Sequence, residues 1–302
     1  MRIIKSYFKP WAILWVIMCL VLTPNLLWAA KTDTSASSIA KGAVESAKKT
    51  AQNIQAKLSQ DAIKAVAETH QALDLLNKGK IDEAVKVLQD AIGRLEVVLS
   101  ANPKLAFVPI NVSTVAFDLE AGPKEIQNTI NKIKKLLDEG DIQTARHLLE
   151  NLQSEIDIIV EKIPLATYPD TIKLAVKYIA NNKIEEAKTL LTTALSSIVQ
   201  DVIVIPLPIV RADMLIQAAS KVAKADKEKA VELLNRAERE LKIAKLLGYT
   251  KNYDKEYKEL VKQIENLKKE IKGKNHSEKL FEKLLNKIKI FRKHFEAKPK
   301  EH

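Results

Sequence analysis

One pattern in the middle of the chain limits what it can fold into. A residue able to turn a helix end back on itself is followed by Ile two positions later, Ala five later and Leu nine later. It occurs as Gly79, Ile81, Ala84 and Leu88, again as Gly140, Ile142, Ala145 and Leu149, and again as Asn182, Ile184, Ala187 and Leu191. A degenerate fourth copy has Ala225, Ala230 and Leu234. The first position needs positive φ to end a helix, which Gly accepts without strain and Asn with little. The alanine lets two antiparallel helices approach closely, and Ile and Leu fill the seam between them. The pattern predicts helical hairpins. Copies are 61, 42 and 43 residues apart, longer and less regular than the roughly 34 residues of a tetratricopeptide array. Stacked hairpins with long connections are therefore expected, not a strict solenoid.

Helical periodicity continues beyond the repeats. Ala230, Leu234, Ala237, Leu241 and Ala244 run up to Gly248, and Tyr257, Leu260, Ile264, Leu267 and Ile271 run up to Gly273; each glycine stands where a left-handed cap is expected. A last helix is predicted from Ser277, a good N-cap, burying Leu280, Leu284, Ile288, Phe291 and Phe295. The connections between hairpins are apolar and contain proline: Phe107-Val108-Pro109-Ile110, Ile163-Pro164-Leu165 with Tyr168-Pro169, and Val204-Ile205-Pro206-Leu207-Pro208-Ile209. Exposed loops are seldom so apolar. Phe107 to Phe117 and Val202 to Val210 alternate enough to be extended segments, lying in grooves between helices or paired as a small β-ribbon. The predicted class is all-α: stacked antiparallel helical hairpins with long apolar connections and room for such a ribbon.

Residues 1–29 have the order of a secretory signal. Arg2, Lys5 and Lys9 precede an apolar run from Trp11 to Leu22, then Pro24 and the small pair Ala29 and Ala30. The run falls short of the roughly 20 apolar residues that span a bilayer. Cleavage after Ala29 and a periplasmic location are expected, with an uncleaved anchor as the rival. Cys19 and all three tryptophans lie in this segment, so the exported remainder would hold together without disulfides or thiolate ligands. Residues 30–60 are polar and alanine-rich, with Val44, Ala47, Ala51, Ile54 and Leu58 marking a marginal, partly flexible helix. The hairpin core is expected over 61–249 and a basic helical pair over 250–302. Without its first 29 residues the chain carries 46 basic and 38 acidic residues, and 16 basic against 9 acidic lie from Thr250 onward. In an exported protein this basic end suits weak contact with anionic envelope surfaces and not nucleic acid; solvated lysine-rich helix faces are the plainer reading.

Catalysis needs a positioned acid, base, nucleophile or metal, and no such spacing stands out. His70, His147, His276, His294 and His302 are scattered, and there is no phosphate-binding glycine loop. A non-enzymatic protein without a cofactor is expected. The polar residues embedded in apolar stretches are Arg146, Glu155, Tyr168, Asp201, Arg211 and Asp213, with Tyr249 beside the Gly248 cap. Burial makes charge costly unless paired. These residues form either buried ion pairs that fix how hairpins dock, or a polar groove for a small solute. Arg211 in particular needs a carboxylate, with Asp201, Asp213 or Glu155 as the candidates.

At these residues the sequence resembles the YfdX family of exported bacterial proteins. The resemblance rests on the seam from Gly79 to Leu88, Ala145-Arg146 with Leu149, Ser154-Glu155-Ile156, Pro164-Leu165-Ala166-Thr167-Tyr168-Pro169, Ile205-Pro206-Leu207-Pro208 and Leu247-Gly248-Tyr249. It runs from about Ala62 to Phe295 and is most specific around Tyr168 and Gly248. It implies a periplasmic, mainly helical protein associated with stress and drug tolerance and credited with chaperone-like behaviour. It supplies no catalytic residue. The expected activity is therefore binding, to unfolded clients or amphipathic small molecules, with a structural or self-assembling envelope protein as the alternative and a homo-oligomer compatible with both. The lysine-rich end beyond Tyr249 is more basic than the resemblance implies.

Overall fold

The structure is a computed structural model and describes residues 36–55, 59–101, 103–272 and 277–296. The signal segment over 1–29, Leu58, Gly273, His276 and His302 lie outside them. Among the described residues the chain is predominantly helical, with eleven α-helices and three strands. After α1 (Ala36–Gln55), one unit of two helices and a strand is written three times: α2 (Gln60–Asn77), α3 (Ile81–Ala101) and β1 (Phe107–Phe117); α4 (Pro123–Asp138), α5 (Ile142–Glu150) and β2 (Glu155–Pro164); α6 (Tyr168–Ala180), α7 (Ile184–Ser196) and β3 (Val199–Pro206). Two more hairpins follow, α8 (Leu207–Val222) with α9 (Lys227–Leu246), and α10 (Asp254–Lys272) with α11 (Ser277–Glu296).

The predicted reversals have the expected backbone. Gly79, Gly140, Asn182 and Gly248 sit at φ of +74°, +78°, +58° and +87°. In each case the next N–H reaches back to the carbonyl five residues before it: Lys80 to Leu75, Asp141 to Leu136, Lys183 to Tyr178 and Tyr249 to Ala244, at 2.8 to 3.0 Å. This closes the helix end and leaves the chain pointing back along it. The alanines Ala84, Ala145, Ala187 and Ala230 are fully buried.

The hairpins then pair with one another. α2 packs on α7 and α3 on α6, and α8 packs on α11 and α9 on α10. The first pairing encloses a core of Ala65, Leu76, Leu88, Leu95, Tyr168, Ile172 and Leu191. The second encloses Leu215, Leu234, Leu241, Leu260, Leu267, Leu284, Ile288 and Phe291, so the basic C-terminal pair shares one core with α8 and α9. As predicted, α11 buries Leu284, Ile288 and Phe291; Leu280 and Phe295 pack at its margin, and Phe281 is buried as well. Helix α1 lies on α8 and the sheet through Ile39, Ala43 and Ala51. A Cβ at Gly42 would stand 2.0 Å from Met214 Cε, so glycine there permits the close crossing.

The apolar connections form one antiparallel sheet in the order β1-β2-β3. Phe107 lies opposite Pro164 and Phe117 opposite Glu155, with a register irregularity at Pro109, where proline has no N–H to offer the ladder. Glu155 lies opposite Pro206 and Lys162 opposite Val199. Three expectations need correction. The apolar run Val202 to Val210 is not one extended segment, because α8 starts at Leu207, with Pro208 in the first turn where its missing N–H costs nothing. The middle strand Glu155–Pro164 was not among the predicted extended segments, although Ile156, Ile158, Ile159, Val160 and Ile163 give it a β-branched run. Lastly, Ile142 and Leu149 of the second hairpin do not fill a seam but are exposed.

Candidate functional site

The sheet gathers polar groups at the end where Phe117, Glu155 and Pro206 lie side by side. Glu155 opens β2 and is almost fully buried. Asp157, two residues on, shares its face because strand side chains alternate. Tyr249, which follows the Gly248 reversal, reaches this face. Its hydroxyl accepts a hydrogen bond from Ser154 N at 3.1 Å and lies beside the Glu155 carboxylate. Burial pushes the phenol well above its ordinary range, and the negative charge of Glu155 and Asp157 pushes it further. The group is therefore neutral at any physiological pH. It anchors the end of α9 to the first residues of β2.

Arg211, at the start of the second turn of α8, pairs with Asp118 just beyond β1 (Nη2 to Oδ1, 2.6 Å). Its side chain is 14% exposed and that of Asp118 is 45% exposed. Glu240 on α9 belongs to the same cluster. Burial raises its pKa, Arg211 opposes that rise, Asp118 adds to it, and Arg236 and Arg239 oppose it in turn. Glu240 Oε2 is buried without a hydrogen bond. Asp213 lies two residues after Arg211 and so leaves α8 from nearly the opposite side. It is buried against α11, where Arg292 Nη1 meets Oδ2 at 2.8 Å and Gln217 donates to Oδ1 at 2.8 Å.

The seven predicted residues therefore do not form one cluster. Glu155 and Tyr249 come together, and Arg211 lies in the charged group of Asp118 and Glu240. Asp213 belongs to the α8–α11 contact. Asp201 pairs across the strands with Lys162. Arg146 is an exposed residue on α5 bonded to Glu150 one turn later (3.1 Å). Tyr168 is buried in the first core, where its hydroxyl lies beside Thr69 without a hydrogen bond of good geometry. Burial there pushes the phenol up to about 12. The partner of Arg211 is none of the three candidates. Because Asp118 is half in water, stranding it costs less than the roughly 3–5 kcal/mol of a fully buried charge. Asp118, Glu240 and Arg292 were missed. Arg292 alone left a trace, as a charged residue directly beside Phe291 in the apolar stripe of α11.

A pocket of about 340 Å³ opens between the end of α8 and the start of α11, lined by Ser220, Lys224, Glu278, Phe281 and Leu285. Lys224 and Glu278 pair across it, and none of the seven residues lines it. Among the described residues no three His, Cys, Asp or Glu side chains are grouped to hold a metal, and no helix is long and apolar enough to cross a membrane.

Paired helical hairpins with a three-stranded meander, and polar side chains held in ion pairs between elements, define a predominantly helical protein among the described residues. Residues 65–204 match the family model of YfdX proteins. The matched residues coincide with the three hairpin-and-strand units and include Tyr168, whereas the sequence resemblance runs on to Phe295, beyond them. Among solved structures, Salmonella Typhi YfdX is 20% identical, with 50% of this chain and 93% of that chain covered and a TM-score of 0.35. Comparison with curated proteins gave no significant match.

Proposed function

We propose that the protein acts outside the cytoplasm as a non-enzymatic, chaperone-like binding protein that holds apolar segments of unfolded clients under envelope stress. The observation that carries this reading is β1. It is an edge strand of the sheet, and from Leu105 to Phe117 it contains no charged residue. Leu105, Phe107 and Val115 are exposed, as are Ser113, Thr114 and Ala116. Edge strands are ordinarily guarded by charge, since their open N–H and C=O groups invite another chain to pair. Here no charge guards the strand; Pro109 interrupts its edge, with its carbonyl met by Ser59 N at 3.4 Å, and α1 and α2 pack against part of it. An extended apolar segment of a client can add to the remaining edge, with backbone hydrogen bonds providing affinity independent of sequence. The basic α10 and α11 are available for weak contact with anionic surfaces. No cofactor enters this reading.

The test is light scattering from a thermally unfolding reporter enzyme. Wild-type protein should suppress aggregation, and Val115→Lys and Phe107→Glu should lose most of that protection while melting like the wild type. A wild type without protection, or charged variants that protect equally well, would refute the reading. Self-association, the alternative, is favoured by a different surface.

A further inference from the structure

We propose that the α4–α5 hairpin is a dimerisation surface and that it takes the same hairpin of a second copy about a two-fold axis. The inference goes beyond client binding and uses none of the residues assigned to it. It rests on the internal repeat. Counting from each reversal, Leu76, Leu137 and Ile179 are equivalent, as are Leu88, Leu149 and Leu191. Hairpins one and three cover these positions by packing on each other: Leu76 is 2% exposed, Ile179 6%, and Leu88 and Leu191 are fully buried. In hairpin two Leu137 is 47% and Leu149 49% exposed, with Ile142 more exposed still. The second hairpin thus carries the same apolar face as its neighbours without a hairpin to cover it.

The chain itself shows what covers such a face. In both of its hairpin pairs the first helix of one hairpin packs on the second helix of the other: α2 on α7 and α3 on α6, α8 on α11 and α9 on α10. That exchange of roles is the relation a two-fold axis produces, so one patch is complementary to another copy of itself. Five hairpins cannot all pair within one chain. The odd one is α4–α5, which rests through α4 on α9, a helix already paired with α10. Two copies would place α4 of one on α5 of the other and α5 on α4, burying Leu137 and Leu149 twice over, as the internal pairs bury their equivalents. Exposed leucines at a symmetric contact count double, because each substitution acts at both halves of the interface.

Sedimentation velocity of the purified protein, over a concentration series from nanomolar to micromolar, reads the outcome. The wild type should be a dimer that dissociates on dilution. Leu137→Lys and Leu149→Glu should each raise the dissociation constant on the order of a hundredfold, and thermal melts recorded below the wild-type dissociation constant, where no dimer adds stability, should be unchanged, since neither side chain supports the fold of the monomer. Val97→Lys, an exposed apolar position on α3, should leave the dimer intact. An equimolar mixture of the Leu137→Lys and Leu149→Glu chains should associate again, because one α4–α5 contact then carries opposite charges and the other keeps both leucines. A wild type that is monomeric throughout, or variants that stay dimeric, would overturn the surface. A mixture that fails to associate would overturn the two-fold pairing.

Discussion

Replacing Arg292 should harm the protein much more than replacing its partner Asp213, although both changes break the same 2.8 Å ion pair. The two ends of the pair differ in solvation: the Asp213 side chain is 5% exposed and that of Arg292 is 24% exposed. Arg292→Met keeps the apolar stem packed in α11 but leaves a buried carboxylate without its cation. Stranding a buried charge costs about 3–5 kcal/mol. Gln217 still donates to Asp213, and a hydrogen bond to a charged group recovers part of that, leaving about 2–4 kcal/mol. Asp213→Asn instead leaves a guanidinium that retains Glu296 at 2.8 Å and reaches water, at a cost of about 1 kcal/mol. At roughly 2–4 °C per kcal/mol for a chain of this size, Arg292→Met should lower the melting temperature by roughly 4–16 °C and Asp213→Asn by a few degrees. Urea unfolding followed by circular dichroism gives the free energies directly. The double change Asp213→Leu with Arg292→Met should be more stable than Arg292→Met alone, since an apolar pair requires no buried charge to be desolvated. Equal penalties for the two single variants, or a double variant no better than Arg292→Met, would refute the reasoning.

Two further outcomes are expected. Ala145 is fully buried where α5 meets α4, so Ala145→Leu should overpack the crossing and cost about 1–3 kcal/mol in a thermal melt, and an unchanged melt would remove the basis for the repeat alignment. Burial raises the Glu240 pKa above its ordinary value of 4.5; the folded state therefore penalises the charged form, and stability is lost as pH rises through the range in which the unfolded chain's carboxyl ionises. Glu240→Gln should accordingly raise the melting temperature at neutral pH, and the gain should vanish as pH falls below the ordinary glutamate range; a gain independent of pH would point to packing instead of charge.

What could be read from the sequence alone is what depends on neighbours a few residues apart. A residue tolerant of positive φ followed by Ile, Ala and Leu at helical spacing is a local instruction, and Gly79, Gly140, Asn182 and Gly248 carry it out with the same backward hydrogen bond. The buried stripe of α11 follows from its period in the same way. The partners of the candidate polar residues were not readable. Arg211 meets Asp118 93 positions away, Asp213 meets Arg292 79 away, and Ser154 meets Tyr249 95 away. No local pattern selects among carboxylates at such separations. The middle strand was hidden for a related reason, since a strand is stabilised by its ladder partners and β2 finds them at 107–117 and 199–206. The repeat also misled at one point. Leu149 has the sequence of a seam residue and is exposed, while Leu88 and Leu191 at the same place in the pattern are buried. The sequence determines that each hairpin has an apolar face, but burial requires a second surface, and only the packing of whole hairpins decides which faces receive one.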